Sequence, residues 1–251
     1  NSLSWNNGEL RPALDWLADD LGVTQWRVVF DMADWEGSND NADPNGAGWT
    51  FYNALYSNAK FQNLWGTIRY LNQRGITTGI TLCSMGRVPV WMGGVQIQTA
   101  LEDEWAEMVV TMLAYARNTE GVQFDMIDPI NEPDWDGFEG PQVGATQYRR
   151  VLEKLAARLD AAGHGELRFI GPSTASVDEG LNDYIPSLMG STVVMNKLDH
   201  FSLHNYSGPT GGADARIKGS AFPSRNFWMN ELSIPDQIFS LIGQGAASTQ
   251  I

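Results

Sequence analysis

The sequence has one cysteine, Cys83, so no disulfide can form within the chain. A thiol inside an apolar, β-branched segment reads as a buried, unreactive group. Histidines number only three, and no His-x-His pair occurs, which leaves little material for a histidine-rich metal centre. No run of about 18 apolar residues is present, so no membrane span is expected. Basic residues are scarce: 16 Lys and Arg stand against 30 Asp and Glu, a formal charge of −14. A surface of that sign repels nucleic acid and anionic membranes, and neither is expected as a partner. No internal repeat and no low-complexity linker divides the chain, so a single domain over residues 1–251 is expected.

What the chain does have is a regular alternation. Its 251 residues are 43% hydrophobic and 18% charged, a globular composition with enough material for a large core. Predicted strands at Gln25–Asp31, Ile76–Cys83, Val122–Asn131, Arg168–Ser173, Leu198–Tyr206 and Asn226–Leu232 alternate with predicted helices. The helices fall at Arg11–Leu21, Asn63–Arg74, Glu102–Asn118, Gln142–Ala162, Leu181–Met189 and from Ile234 to Gly243. Apolar residues at helical spacing mark them, for example Trp105, Met108, Val109, Met112 and Leu113, and Gly22, Gly75 and Gly163 stop them. Strand–helix alternation of this kind predicts a parallel α/β fold. The polar loop Asp34–Trp49 carries Asn41-x-Asp43-x-Asn45-Gly46, which is similar to the start of a calcium-binding loop. That motif wants Asp first and Glu twelfth, and Asn41 and Tyr52 stand there instead, so a loop lining a cleft is the better expectation.

Two strands end in a glutamate. The apolar run from Val122 stops at Asn131-Glu132-Pro133, where Pro133 has no N–H to continue a ladder. The run Asn226-Phe227-Trp228-Met229-Asn230 stops at Glu231. Carboxylates at the carboxyl ends of parallel strands sit where α/β folds keep their chemistry. A pair of them is what retaining glycoside hydrolysis requires, one to donate a proton and one to attack. Alternation along the first of these strands places Asp128 on the same side as Glu132, and Arg27 is the candidate partner for it.

With these motifs the chain resembles the retaining glycoside hydrolases whose (β/α)8 barrels, or TIM barrels, carry catalytic glutamates on strands 4 and 7. Family 30 is the nearest in feel, and families 5 and 39 are in reach. Ser84 to Met92, with its Pro89-x-Trp91-Met92 ending, is similar to the family 30 loop after strand 3. The histidine that family 5 carries near that strand has no counterpart. The resemblance implies that Glu132 is the acid/base and Glu231 the nucleophile. It also implies that Arg27 on strand 2, Trp91, Asn131, His204 and Tyr206 bind substrate or orient the carboxylates. No metal and no cofactor are implied. The substrate would be an oligosaccharide, polysaccharide or glycoconjugate, and the sugar and linkage stay open. No signal peptide is visible, but a chain that does not begin with Met fits a secreted or periplasmic enzyme from which a leader has been removed. The six readable strands would be strands 2 to 7 of a barrel incomplete at both ends, strand 1 lying before Asn1 and strand 8 after Ile251.

Two other readings stay open. A metal-dependent hydrolase on the same fold would use His200 and His204, which alternate onto one face, with Asp128 and Glu132. A barrel that binds carbohydrate without cleaving it is the third, though the presence of both glutamates speaks against it.

Overall fold

The computed structural model describes residues 11–136, 138–208, 210–231, 246 and 248–249. Seven parallel strands run in sequential order: β1 (Trp26–Asp31), β2 (Ile80–Met85), β3 (Met126–Asp128), β4 (Arg168–Ser176), β5 (Leu198–Ser207), β6 (Phe227–Glu231) and β7 (Ser248–Thr249). The sheet curls into a partial barrel with helices on its outer face, the expected fold class. The six expected strands are β1 to β6, corresponding to strands 2 to 7 of the resembled barrels. Strand 8 was expected after Ile251, but a further short strand lies before it: Ser248 and Thr249 pair with Trp228 and Met229 beyond β6. The expected helix from Ile234 to Gly243 lies outside the described residues.

The helices are α1 (Arg11–Asp15, continuing as a π turn to Asp20), α2 (Trp49–Tyr56), α3 (Ala59–Gln73), α4 (Glu102–Asn118), α5 (Ala145–Ala161), α6 (Ile185–Met189), α7 (Thr192–Lys197) and α8 (Ala213–Lys218). α3 starts four residues earlier than its apolar spacing predicts because the Asn58 side chain caps it, accepting from the backbone N–H of Lys60 and Phe61 at 2.9 and 3.2 Å. α2 was not expected. It ends the polar loop and buries Tyr52 and Tyr56 completely. The main core lies between the sheet and these helices, with Trp35, Trp65, Trp105, Phe169 and Phe201 fully buried. A small separate apolar cluster joins Met126, Ile170 and Trp228.

Two departures from the predicted strand ends bear on the site. β2 begins at Ile80, not Ile76, because Gly79 takes φ +75° and lies so close to the Thr24 carbonyl that a β-carbon would overlap it. The Asp125 carboxylate accepts from the Gly79 and Ile80 N–H, both at 3.0 Å, and fixes that start. β3 is only three residues long, so Glu132 lies beyond a strand end and not on the strand itself. The chain past Pro129 bonds to both neighbours in turn. Asn131 N–H donates to Ser84 of β2 at 3.1 Å, and Glu132 N–H donates to Ser173 of β4 at 3.0 Å.

Candidate active site

Those two backbone bonds centre Glu132 at the carboxyl end of the sheet. Its φ is +41°, a left-handed conformation that costs a non-glycine residue energy, and such residues gather at functional sites. Gly140 makes the turn fit: a β-carbon there would overlap the Asn131 carbonyl. Asp134 fastens the same loop to β4, accepting from Ala175 and Ser176 N–H at 2.9 and 2.8 Å.

Glu132 is almost fully buried, at 1% exposure, and its Oε1 lies 2.7 Å from His204 Nδ1. Burial pushes its pKa up to about 8, and the charges of Glu231, Glu139 and Asp134 act in the same direction. His204 is fully buried too. Burial and the nearby Arg27 hold its pKa well below the usual value, so the ring is neutral. The pair therefore shares one proton between a neutral imidazole and a carboxyl group.

Glu231, at the end of β6, is held differently. Arg27 Nη1 donates to Oε2, and the Tyr206 hydroxyl donates to Oε1 at 2.8 Å. Burial alone would lower the Arg27 pKa, but the charges of Cys83, Asp128 and Glu231 raise it. Burial and the bond to Glu231 raise that of Tyr206. Both groups thus keep their protons to donate to the Glu231 oxygens. The other Arg27 nitrogen, Nη2, donates to Asn131 Oδ1 at 2.5 Å and reaches Asp128 Oδ2 at 3.4 Å.

The structure thus brings Arg27, Asn131, Glu132, His204, Tyr206 and Glu231 together. Trp91 stands apart. Its indole N–H donates to the Glu36 carbonyl at 2.6 Å and ties the loop after β2 to the loop after β1. It packs half-buried against the core. The Asn41–Gly46 motif is occupied with its own turn: Asn41 and Asp43 side chains accept from backbone N–H two residues on, at 2.6 and 3.1 Å.

Ser173, Ser202 and Asn230, which line this centre, went unnoticed in the sequence. Ser173 Oγ donates to Asp128 Oδ2 at 2.7 Å and lies 2.7 Å from Ser202 Oγ, and Asn230 Nδ2 reaches Asp128 Oδ2 at 3.2 Å. Asn230-Glu231 repeats the Asn131-Glu132 dipeptide, the one signal that marked it.

One oxygen each from Glu132 and Glu231 and one ring nitrogen of His204 lie within 4.8 Å of one another, a grouping of donors suited in type to a divalent ion. Among the described residues it is the grouping of this kind. It differs from the expected metal set, since His200 lies toward the start of β5 with its ring stacked on Trp228 at 4.0 Å. Asp128 is committed to Arg27, Ser173 and Asn230.

No protein-family model matches the chain, and no curated protein does. Solved structures do. A glycoside hydrolase family 30 subfamily 8 xylanase from Clostridium acetobutylicum superposes with a TM-score of 0.69 at 15% identity, over 94% of this chain and 59% of that one. An endo-β-1,6-glucanase gives 0.72 at 14% identity, over 99% and 63%. A family 39 β-xylosidase from Caulobacter crescentus gives 0.60 at 16% identity, over 99% and 60%. The likeness establishes the fold, that of the glycoside hydrolase barrels of families 30 and 39. The chain spans less than two thirds of the length of each of these three structures. Among the described residues no helix is long and apolar enough to cross a membrane.

Proposed function

We propose that the chain is the catalytic part of a retaining β-glycosidase acting by double displacement. The observation that carries this is the pairing of unlike carboxyl groups: a buried Glu132 that holds its proton to about pH 8, beside a Glu231 gripped by Arg27 and Tyr206. A carboxyl that keeps its proton beside one held by two donors fits the acid and the nucleophile of such a pair. Oxygens of the two lie within 4.8 Å, in keeping with the roughly 5–5.5 Å carboxyl separation of retaining enzymes and not the roughly 6.5–9.5 Å of inverting ones.

In the first step Glu231 attacks the anomeric carbon while Glu132 protonates the leaving oxygen. Glu132, now ionised, then takes a proton from the water that releases the sugar. Asn131, anchored by Arg27, presents its amide toward the hydroxyl beside the anomeric carbon. His204 holds Glu132 in place. The solved structures of similar fold include enzymes named for xylan, β-1,6-glucan and β-xylosides, so the substrate class is a β-linked oligosaccharide or polysaccharide. Such a substrate places the enzyme outside the cell or in the periplasm. We read the seven strands as the greater part of one barrel whose first strand is not among the described residues.

Proton NMR of the first product from an aryl β-glycoside should show the β-anomer; an α-anomer overturns the assignment. Azide should rescue Glu132→Ala with a β-glycosyl azide product, and an α-azide from Glu231→Ala. The Glu132–His204–Glu231 grouping favours a second reading, metal-assisted hydrolysis, and loss of activity in chelator with recovery on adding zinc would select it.

A further inference from the structure

Asp128 is fully buried, closes β3 ahead of Glu132, and has no role in the steps above. One of its oxygens carries all its contacts. Oδ2 accepts from Ser173 Oγ at 2.7 Å and Asn230 Nδ2 at 3.2 Å, meets Cys83 Sγ at 3.6 Å, and faces Arg27 Nη2 at 3.4 Å. Oδ1 has no hydrogen-bond partner among the described residues.

Two irregularities in the sheet build this arrangement. In the β4–β5 ladder Pro172 pairs with Ser202 and Thr174 with Leu203, so Ser173 is the extra residue of a bulge, at φ +52°. In the β5–β6 ladder Leu203 pairs with Met229 and His204 with Glu231, so Asn230 is the extra residue of a second bulge. Bulges re-aim side chains, and both of these aim at the same carboxylate oxygen. Asn230 Nδ2 also reaches Ser173 Oγ at 3.0 Å, closing the ring of donors.

Arg27 needs such an anchor. Its Nε is buried without a partner among the described residues, so what its two outer nitrogens touch sets the guanidinium. Nη1 faces Glu231, and Nη2 faces Asn131 and Asp128. Among the described residues Asp128 is the one other carboxylate in contact with that group.

We propose that Asp128, clamped by the bulged residues Ser173 and Asn230, is a positioning residue that shares the charge of Arg27 and sets its fork, and thereby the orientation and nucleophilicity of Glu231. This rests on the proposed role of Glu231. Without the Asp128 charge, Arg27 keeps Glu231 as its only carboxylate partner among the described residues, draws closer to it, and damps its attack.

The test isolates that attack. A 2,4-dinitrophenyl 2-deoxy-2-fluoro-β-glycoside needs no proton donor: the Glu231 oxygen forms a bond to the anomeric carbon, and the bond to dinitrophenolate breaks with its electron pair. Glucoside, xyloside and galactoside versions are incubated with the chain. The trapping rate constant is followed by phenolate release, and the trapped fraction by intact mass. The rate constant is independent of how much protein is folded, which a merely structural role would change instead. Asp128→Asn keeps the shape and removes the charge. Its rate constant at saturating reagent should fall about tenfold or more, with reagent affinity within about twofold and trapping stoichiometry near that of the parent. A rate constant within about twofold of the parent overturns the proposal. Where Asp128→Asn does not fold, Ser173→Ala decides: loss of one clamp should slow trapping about threefold, and an unchanged rate overturns the proposal. Failure of the parent chain to be trapped on Glu231 by any of the three sugars removes the glycosidase reading and this proposal with it. Trapping of the parent with an unaltered Asp128→Asn removes this proposal alone.

Discussion

Two groups of buried carboxyls lie in this fold, and they are kept in opposite ways. At the strand ends, Glu231 meets Arg27 and Tyr206, Asp128 meets Ser173 and Asn230, and Glu132 meets neutral His204. Under the polar loop after β1, Glu36, Glu104 and Glu107 are at most 7% exposed, with Asp40 beside them. The nearby cation there, Arg158, spends its donors on Pro44 and Asn45 of the loop above. Burial pushes Glu36 up to about 7 and Glu107 up to about 8, the neighbouring carboxylates adding to it. Burial raises Glu104 as well, and the charge of Asp40 acts in the same direction. A raised carboxyl pKa therefore marks a site only when the anion next to it is stabilised by donors. Where all members rise together, the group serves packing: Glu36 receives Tyr52 at 3.0 Å and Asp40 N–H at 2.9 Å and so holds the loop on α2.

The largest effect that separates the two groups is on turnover. Glu231→Gln should lower kcat roughly 10³-fold or more while leaving the melting temperature within about 2 °C. Glu107→Gln should leave kcat within about twofold. A comparable loss of turnover in Glu107→Gln would mean that the loop cluster takes part in the chemistry and would break the contrast.

The next effect is on pH dependence of activity. Because Glu132 must be protonated to assist departure, kcat/KM for glycosides with poor leaving groups should fall above about pH 8, close to tenfold per unit. Dinitrophenyl glycosides should lose that limb. A basic limb that persists with the activated leaving group would assign it to another residue.

Much of this contrast was open to reading in the sequence, and the reasons it was incomplete are physical. Two apolar runs that each stop at a glutamate marked Glu132 and Glu231, because strand burial leaves a periodic trace and strand ends leave a stop. Arg27, Asn131, His204 and Tyr206 followed from resemblance at those same ends. Ser173 and Asn230 did not, since a bulge changes which face a residue presents without changing composition. Glu132 was placed on a strand, yet β3 stops at Asp128 and a left-handed turn carries the glutamate. Glu36, Glu104 and Glu107 left no trace at all. On an amphipathic pattern a glutamate reads as solvated, and only the packing of α2 and α4 under the polar loop covers them.

A smaller effect lies in stability. A carboxyl with its folded pKa raised from about 4.5 to 7 or 8 binds more protons folded than unfolded across that interval. Stability then declines as pH rises from about 5 to 8, and it is regained on acidification. Glu132 bends the curve the same way, so the slope lost in Glu107→Gln measures the loop cluster alone. Melting temperature should rise by a few degrees in that variant at pH 8 and be unchanged at pH 5; roughly 1 kcal/mol corresponds to about 2–4 °C at this size. A curve as steep as the parent's would show that Glu107 does not carry the proton.

The smallest expected effect falls on the residue that joins the two regions. Trp91 was a candidate sugar platform by resemblance, but its indole N–H is given to the Glu36 carbonyl and its ring packs against the core. A stacking platform needs an open face, whereas an anchor needs a donor and a wall. Trp91→Phe keeps an aromatic ring and deletes the donor, leaving the Glu36 carbonyl short of a partner. That should cost about 1 kcal/mol, or about 2–4 °C in melting temperature, with KM within about twofold of the parent. The same substitution raising KM tenfold with no change in melting temperature would restore Trp91 to the sugar.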